Sequence, residues 1–373
     1  MERQRIEQDI GQGMTADAAC AECAPAEQSA AEAHASFLAQ RRFGSLDGLR
    51  ALSIAAVIWH HTAPAWVSHA LLNAGTQGVT LFFAISGFLI TTLMLRERRR
   101  SGGIDLGAFY MRRSLRIFPL YYLTLLVYVL VVAALERHSE FGQTFFHNLP
   151  YFASYTSNIF VPLDGRVIFY FSWSLAAEEQ FYLLWPPILS RCNNRVAALL
   201  LLALVAICIV GHLYRNLFLV SVPLAILSGA LLALVLDDPR GFLRLYPVFK
   251  SPWCTAAALL MLGVSLATQQ PWGFLNSLLC VVVVACCVVR EQHPLAPLLA
   301  LKPVAYIGSV SYGMYLLHML SKNLVVKLLH AASLPVEGMH VFMLTLLMAI
   351  FVAGFVFRHF ESFFLKLKSR YAR

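Results

Sequence analysis

Leu46-Asp47-Gly48-Leu49-Arg50, followed by an apolar run that ends in Trp59-His60-His61, decides the class of this protein. An arginine opens a helix of membrane length, and two histidines lie deep inside it. Ionisable groups in hydrocarbon are expensive and mark functional positions by default. At ~1.5 Å per helical residue, the eleven steps from Arg50 to His61 span roughly 16 Å, about half a bilayer core. One helix can thus hold a charge near one face and a titratable nitrogen beyond the midplane.

The rest of the chain agrees with a membrane setting. It is 59% hydrophobic and 13% charged, with mean hydropathy +0.66. Soluble domains run at about 25% charged residues. Apolar runs of membrane length fall near 48–68, 78–95, 115–135, 170–190, 196–213, 218–236, 253–269, 273–290, 304–320 and 339–359. The expected fold is all-α, a polytopic transmembrane bundle of about ten spans. The fourth run is interrupted by Glu178, Glu179 and Gln180, and the ninth extends through an amphipathic stretch from Lys322 to His330.

Orientation follows from charge. With the N-terminus inside, only Arg137, Arg166, Arg215, Lys322 and Lys327 of the 29 lysines and arginines fall outside. An even span count puts both termini in the cytoplasm. The net charge of +9 therefore reads as membrane topology and not as nucleic-acid binding. Residues 1–40 read as a flexible cytoplasmic tail without a signal peptide, 41–365 as the transmembrane domain and 366–373 as a basic cytoplasmic tail. The outer segment 136–169, with His138, His147 and Asp164, is placed to cap the bundle. Six of the eight cysteines lie in or beside apolar spans and read as small hydrophobes. Cys20 and Cys23 form a lone CxxC, read as incidental. No metal-ligand cluster stands out, and no internal repeat suggests a repeat-built transporter.

Several residues invite chemistry. His60 and His61 differ by about 100° around their helix, so one faces the bundle and the other a neighbour. A buried histidine is often only structural, but an acid on another span, Glu178, could orient one and stabilise its imidazolium. Counted from the outer end of its run, Glu178 falls level with His61. Ser86 is a conceivable nucleophile, although Ser86-Gly87 reads more readily as a close-packing pair. Arg113 and Arg116 share a helical face and suit phosphate oxygens, with positive-inside anchoring as the plain alternative. His318 ends a Ser/Gly/Tyr-rich span and reads as a lining or structural group.

Five segments in order resemble the membrane-bound acyltransferase-3 proteins, among them bacterial O-acetylases of lipopolysaccharide and exopolysaccharide and macrolide acyltransferases. Leu46-Asp47-Gly48-Leu49-Arg50 leading to His61 matches the family's Arg-x10-His motif. Phe82-Phe83-Ala84-Ile85-Ser86-Gly87-Phe88-Leu89-Ile90 matches the second-span signature, and Arg113-Ser114-Leu115-Arg116 the Arg-x-x-Arg motif. Trp173-Ser174-Leu175-Ala176-Ala177-Glu178 with Gln180-Phe181-Tyr182 matches the tryptophan–glutamate segment; Ala177 departs from the β-branched residue common there. Ser311-Tyr312-Gly313-Met314-Tyr315-Leu316-Leu317-His318 matches the late-span segment. The resemblance runs from about Ser45 to Phe364.

It implies transfer of an acyl group, usually acetyl, from acyl-CoA as donor substrate to a hydroxyl, with no permanently bound cofactor. His61, not His60, becomes the base or transient acyl carrier and Glu178 its acid partner. Arg50, Arg113 and Arg116 become donor-binding, with Ser86, Trp173, Tyr312 and His318 lining the site. The expected setting is a bacterial inner membrane, the acceptor a glycan or lipid-linked saccharide, and a homodimer is compatible. A macrolide-like acceptor from the inner side is the enzymatic alternative; a proton-coupled transporter and a scaffold subunit are the others. Some family members carry a further extracytoplasmic esterase-like domain, and this bundle is expected to act alone or with partners.

Overall fold

The computed structural model describes residues 29–40, 42–64, 67, 75–161, 167–214, 223–268, 273–290 and 292–368, and these are all-helical apart from turns and connections. Cys20, Cys23, Asp164, Arg166, Arg215 and most of both expected tails lie outside the described residues.

Each apolar run corresponds to a helix. A surface helix α1 (Ala30–Ala39) leads to α2 (Gly44–Thr62), which carries the opening motif. Then come α3 (Gln77–Ser101) and α4 (Leu106–Leu135). The outer segment folds into α5 (Glu140–Ala153) and α6 (Ser157–Phe160), with exposed His138 and His147. The chain continues through α7 (Ser172–Arg191), α8 (Asn194–Leu213), α9 (Leu224–Asp237), α10 (Pro239–Phe249), α11 (Pro252–Ala267) and α12 (Gly273–Val288). A short α13 (Ala296–Leu299) precedes α14 (Lys302–Ala331). The last helix, α15 (Met339–Val356), passes through a π-turn at Phe357–Glu361 into α16 (Ser362–Lys368).

Helices α3, α4, α8 and the continuous stretch Met339–Leu367 are long and apolar enough to cross a membrane alone. The pair α10 and α11 meets the same test only jointly, across a bend of 77°. Pro247 and Pro252 flank that bend, where missing amide donors make a helix break cheap. Helices α2, α7 and α14 have the length, 19, 20 and 30 residues, but not the hydropathy, because they carry the polar residues singled out above. Among the described residues there are thus four or five autonomous spans, fewer than the ten expected from the runs.

Two boundaries differ informatively. Helix α4 begins nine residues before its apolar run, because Asp105 caps it by accepting from the Ala108 amide at 2.9 Å. Arg112, Arg113 and Arg116 are therefore helical and ordered. Helix α2 stops at Thr62, short of the run's end near 68, as Pro64 approaches.

Two large apolar clusters fill most of the interior. One gathers Phe88, Ala230 and Val284 around α3, α9 and α12; the other gathers Ile58, Tyr121, Phe152 and Met314 around α2, α4, α5 and α14. Helix α2 reaches from Leu46 in the first to Ile58 in the second. The tightest crossings use glycine. A Cβ on Gly87 would overlap the Ile226 carbonyl, one on Gly229 the Ala84 carbonyl, and one on Gly308 the Asp47 carbonyl. The Ser86-Gly87 pair thus divides its work, since glycine packs α3 on α9 and the serine turns elsewhere. Cys208, Cys280, Cys286 and Cys287 are buried among these hydrophobes. At the Arg50 end, Ser45 Oγ lies 2.7 Å from His293 Nε2 and ties α2 to the segment before α13.

Gly87→Val should therefore destabilise the protein by about 1–3 kcal/mol or more through overpacking. Gly263→Ala, where a Cβ meets nothing within 4 Å, should leave stability unchanged or slightly raised. Thermal unfolding in detergent compares the two.

Candidate active site

Arginine collects in one place. A cavity of about 800 Å³ is lined by Arg50 from α2, Ser86 from α3, Arg113 and Arg116 from α4, and Glu178 and Tyr182 from α7. The cavity is also lined by Arg96, Arg100 and Arg112, with Glu97 and Asp105. Arg112 pairs with Glu97 at 2.8 Å, and Glu97 also accepts the Asp105 amide at 3.0 Å. The walls towards the interior are apolar, including Phe82, Phe83 and Leu175.

Each interior arginine is aimed by a different device. Arg50 donates to Asp47 at 2.9 Å, one turn earlier on α2. The Arg113 guanidinium lies 4.4 Å from the centre of the Tyr182 ring, a cation–π contact. The Tyr182 hydroxyl donates to Glu178, four residues earlier on the same face of α7. Arg116 interacts electrostatically with Arg50 and Arg113, and with Glu361 of the π-turn. Beside it, the Tyr312 hydroxyl donates to the Ile117 carbonyl at 2.7 Å and fixes α4 against α14. Three like charges in one cavity repel unless an anion joins them. Guanidinium forks in that arrangement suit phosphate oxygens.

The histidines form a second group. The Tyr170 hydroxyl lies 2.8 Å from His61 Nε2 and 3.2 Å from Nδ1. The His318 ring stands 5.2 Å from that of His61, and the His60 ring 4.9 Å. Tyr170 is delivered by a tight turn before α7, in which buried Phe169 has φ 66°, a left-handed conformation that costs a bulky residue energy.

Tyr315 stands between the groups. It lines the cavity, and its ring is 5.6 Å from that of His318. Its hydroxyl lies 2.6 Å from Ser174 Oγ and donates to the Phe171 carbonyl at 3.0 Å.

The expected pairing of Glu178 with His61 is not what the fold makes. Glu178 bonds Tyr182 beneath Arg113, whereas His61 bonds Tyr170 and faces His318. The reason is depth. Tyr170 is level with His61, so Glu178, eight residues further on, sits roughly 10 Å deeper along α7. Trp173 packs on Phe83 at 6.1 Å and is not among the cavity-lining residues. Ser86 and Tyr312 do line the cavity, and His318 is buried beside His61. Tyr170, Tyr315 and Glu361 were not singled out from sequence. Two of them carry a sequence signal: Tyr315 lies within the Ser/Gly/Tyr-rich segment that ends in His318, and Glu361 is an acid at the end of an apolar run.

The chain is an all-helical bundle with apolar helices long enough to cross a membrane, an arginine-rich cavity and a group of histidines. The acyltransferase domain model of the acyltransferase-3 family matches residues 43–359, and the chain belongs to that family. It is 30% identical over 319 residues to the peptidoglycan O-acetyltransferase OatA of Listeria monocytogenes, covering 74% of this chain and 48% of that protein. The same identity and shares hold over 318 residues with YrhL of Bacillus subtilis, whose assignment to that activity is provisional. A provisionally assigned O-acetyltransferase of Staphylococcus aureus is 36% identical over 157 residues, covering 40% of this chain and 25% of its own. The chain thus spans about half the length of the first two relatives. No solved structure matches it.

If the three arginines form an anion site, inorganic pyrophosphate should raise the melting temperature of the wild-type protein. The shift should vanish in Arg116→Ala and persist in His61→Ala. Differential scanning fluorimetry against pyrophosphate concentration makes the comparison.

Proposed function

We propose that this protein is an O-acyltransferase of a bacterial plasma membrane, a ten-span bundle with both termini inside. It moves an acetyl group from cytoplasmic acyl-CoA to a hydroxyl of a cell-wall glycan such as peptidoglycan or its lipid-linked precursor. The observation that carries the reading is the cavity that joins Arg50, Arg113 and Arg116 and runs inward to Tyr315, whose ring adjoins the histidine pair. Family membership and the names of the two longer matches support the reaction and the acceptor class.

In this reading the donor's phosphates lie on Arg113 and Arg116. Its extended arm, roughly 15–20 Å, is comparable to the rise of α2 between Arg50 and His61. The apolar walls at Phe82, Phe83 and Leu175 suit the uncharged arm. Glu178 belongs to the donor side, where it holds Tyr182 under Arg113. His61 acts as base or transient acyl carrier, set in place by Tyr170. Phosphate-binding charge and reacting nitrogen are separated by helix geometry, so a donor bound on one side of the membrane can serve an acceptor arriving from the other.

Purified protein in detergent should release thiol from acetyl-CoA with water as a poor acceptor. His61→Ala should lose about 10²–10⁴-fold in rate, and His60→Ala should keep most of it. Equal activity in wild type and His61→Ala would move the chemistry elsewhere. Absence of both turnover and coenzyme A binding would favour the transporter.

A further inference from the structure

The outer half of α14 holds polar atoms that the donor cavity does not use. His318 is 1% exposed, and its Nδ1 lies 2.5 Å from the Tyr315 carbonyl. A carbonyl only accepts, so Nδ1 carries the proton and Nε2 presents a lone pair. That Nε2 is buried and has no hydrogen-bond partner among the described residues. One turn on, buried Ser321 Oγ is likewise unpartnered, and i, i+3 spacing puts it on the same helix face. Buried polar groups normally find partners, and the exceptions call for an explanation. Two such exceptions one turn apart on one face, the first with its ring 5.2 Å from that of His61, describe a place for a hydroxyl. The acceptor's oxygen would donate to His318 Nε2 and accept from Ser321.

We infer that His318 is the base that takes the proton of the acceptor hydroxyl, with Ser321 positioning that hydroxyl, while His61 serves the acyl side. The inference rests on the acyltransferase reading above. The rings lie 5.2 Å apart, close enough to attend to two partners of one reaction, and each has its own anchor: Tyr170 for His61, the Tyr315 carbonyl for His318. Lys322 lies just beyond, and no carboxylate among the described residues is hydrogen-bonded to either ring. In the step, the acceptor O–H proton passes to Nε2 as the oxygen bonds the acyl carbon. The acyl–sulfur bond breaks, its electron pair leaves on the thiolate, and the proton held by His318 returns to that sulfur.

The test compares two nucleophiles with acetyl-CoA and purified full-length protein. Water attacks as a hydroxyl and needs a base, whereas hydroxylamine attacks through a free amine and needs one far less. His318→Asn is the first variant, because its amide can still donate to the Tyr315 carbonyl while Nε2 is gone. Thiol release to water should fall at least about a hundredfold, and hydroxamate formation by less than about tenfold. His61→Ala should lose both. Equal losses for the two nucleophiles in a variant that melts like wild type would overturn the inference, as would unchanged hydrolysis. His318→Gln is read in the same way should His318→Asn melt early; early melting of both assigns His318 to packing and overturns the inference too. If wild type releases no thiol with either nucleophile, the acyltransferase reading itself fails.

Discussion

Arg50, Arg113 and Arg116 bring their guanidinium groups into one cavity inside an apolar bundle, and much of the architecture exists to make that tolerable. Charges in low dielectric repel strongly and are costly to desolvate. Asp47 takes one, the Tyr182 ring a second, and Glu361 lies near the third. Each compensation requires a structural feature of its own. Asp105 extends α4 so that Arg113 and Arg116 stand on a rigid helix. Glu178 aims Tyr182 from one turn back. The π-turn at Phe357–Glu361 places a carboxylate oxygen where a side chain on Gly313 would crowd it at 3.1 Å. Single π-turns of this kind recur at functional sites. The residues that look like anion ligands are thus held by contacts among α2, α4, α7, α14 and the chain's last helix.

The histidine group obeys a different rule. No carboxylate among the described residues is hydrogen-bonded to His61 or His318, and their order comes from neutral partners: a tyrosine hydroxyl for His61 and a backbone carbonyl for His318. Tyr315 adjoins both groups, lining the cavity with its ring 5.6 Å from that of His318. A site divided in this way lets charge recognition and proton handling be tuned separately.

Much of this was legible in the sequence, for identifiable reasons. Hydrophobic length marks helices, so all ten runs became helices, although α2, α7 and α14 are too polar to pass as spans alone. Arg50, Arg113 and Arg116 were legible because arginine in or beside an apolar run is rarely idle. The partner of His61 is not legible in the sequence, because Tyr170 is a neutral residue whose position depends on a strained turn at Phe169. Glu178 was placed at the wrong level because its apolar run includes the turn before Ser172. That His318 lies beside His61 depends on α2 crossing α14, with Gly308 against the Asp47 carbonyl, a contact between segments more than 250 residues apart. Local pattern carries no trace of it.

Tyr315 also has an electrical consequence. A membrane that stores a potential loses work through any continuous wet path, and a cavity lined with fixed positive charge would pass anions readily. The Tyr315 hydroxyl, bonded to Ser174 and to the Phe171 carbonyl, holds an aromatic ring between the cavity and His318. Phe82 and Phe171 flank it at 6.3 and 5.9 Å between ring centres. Any ion leaving the charged chamber towards the histidines would have to pass that ring.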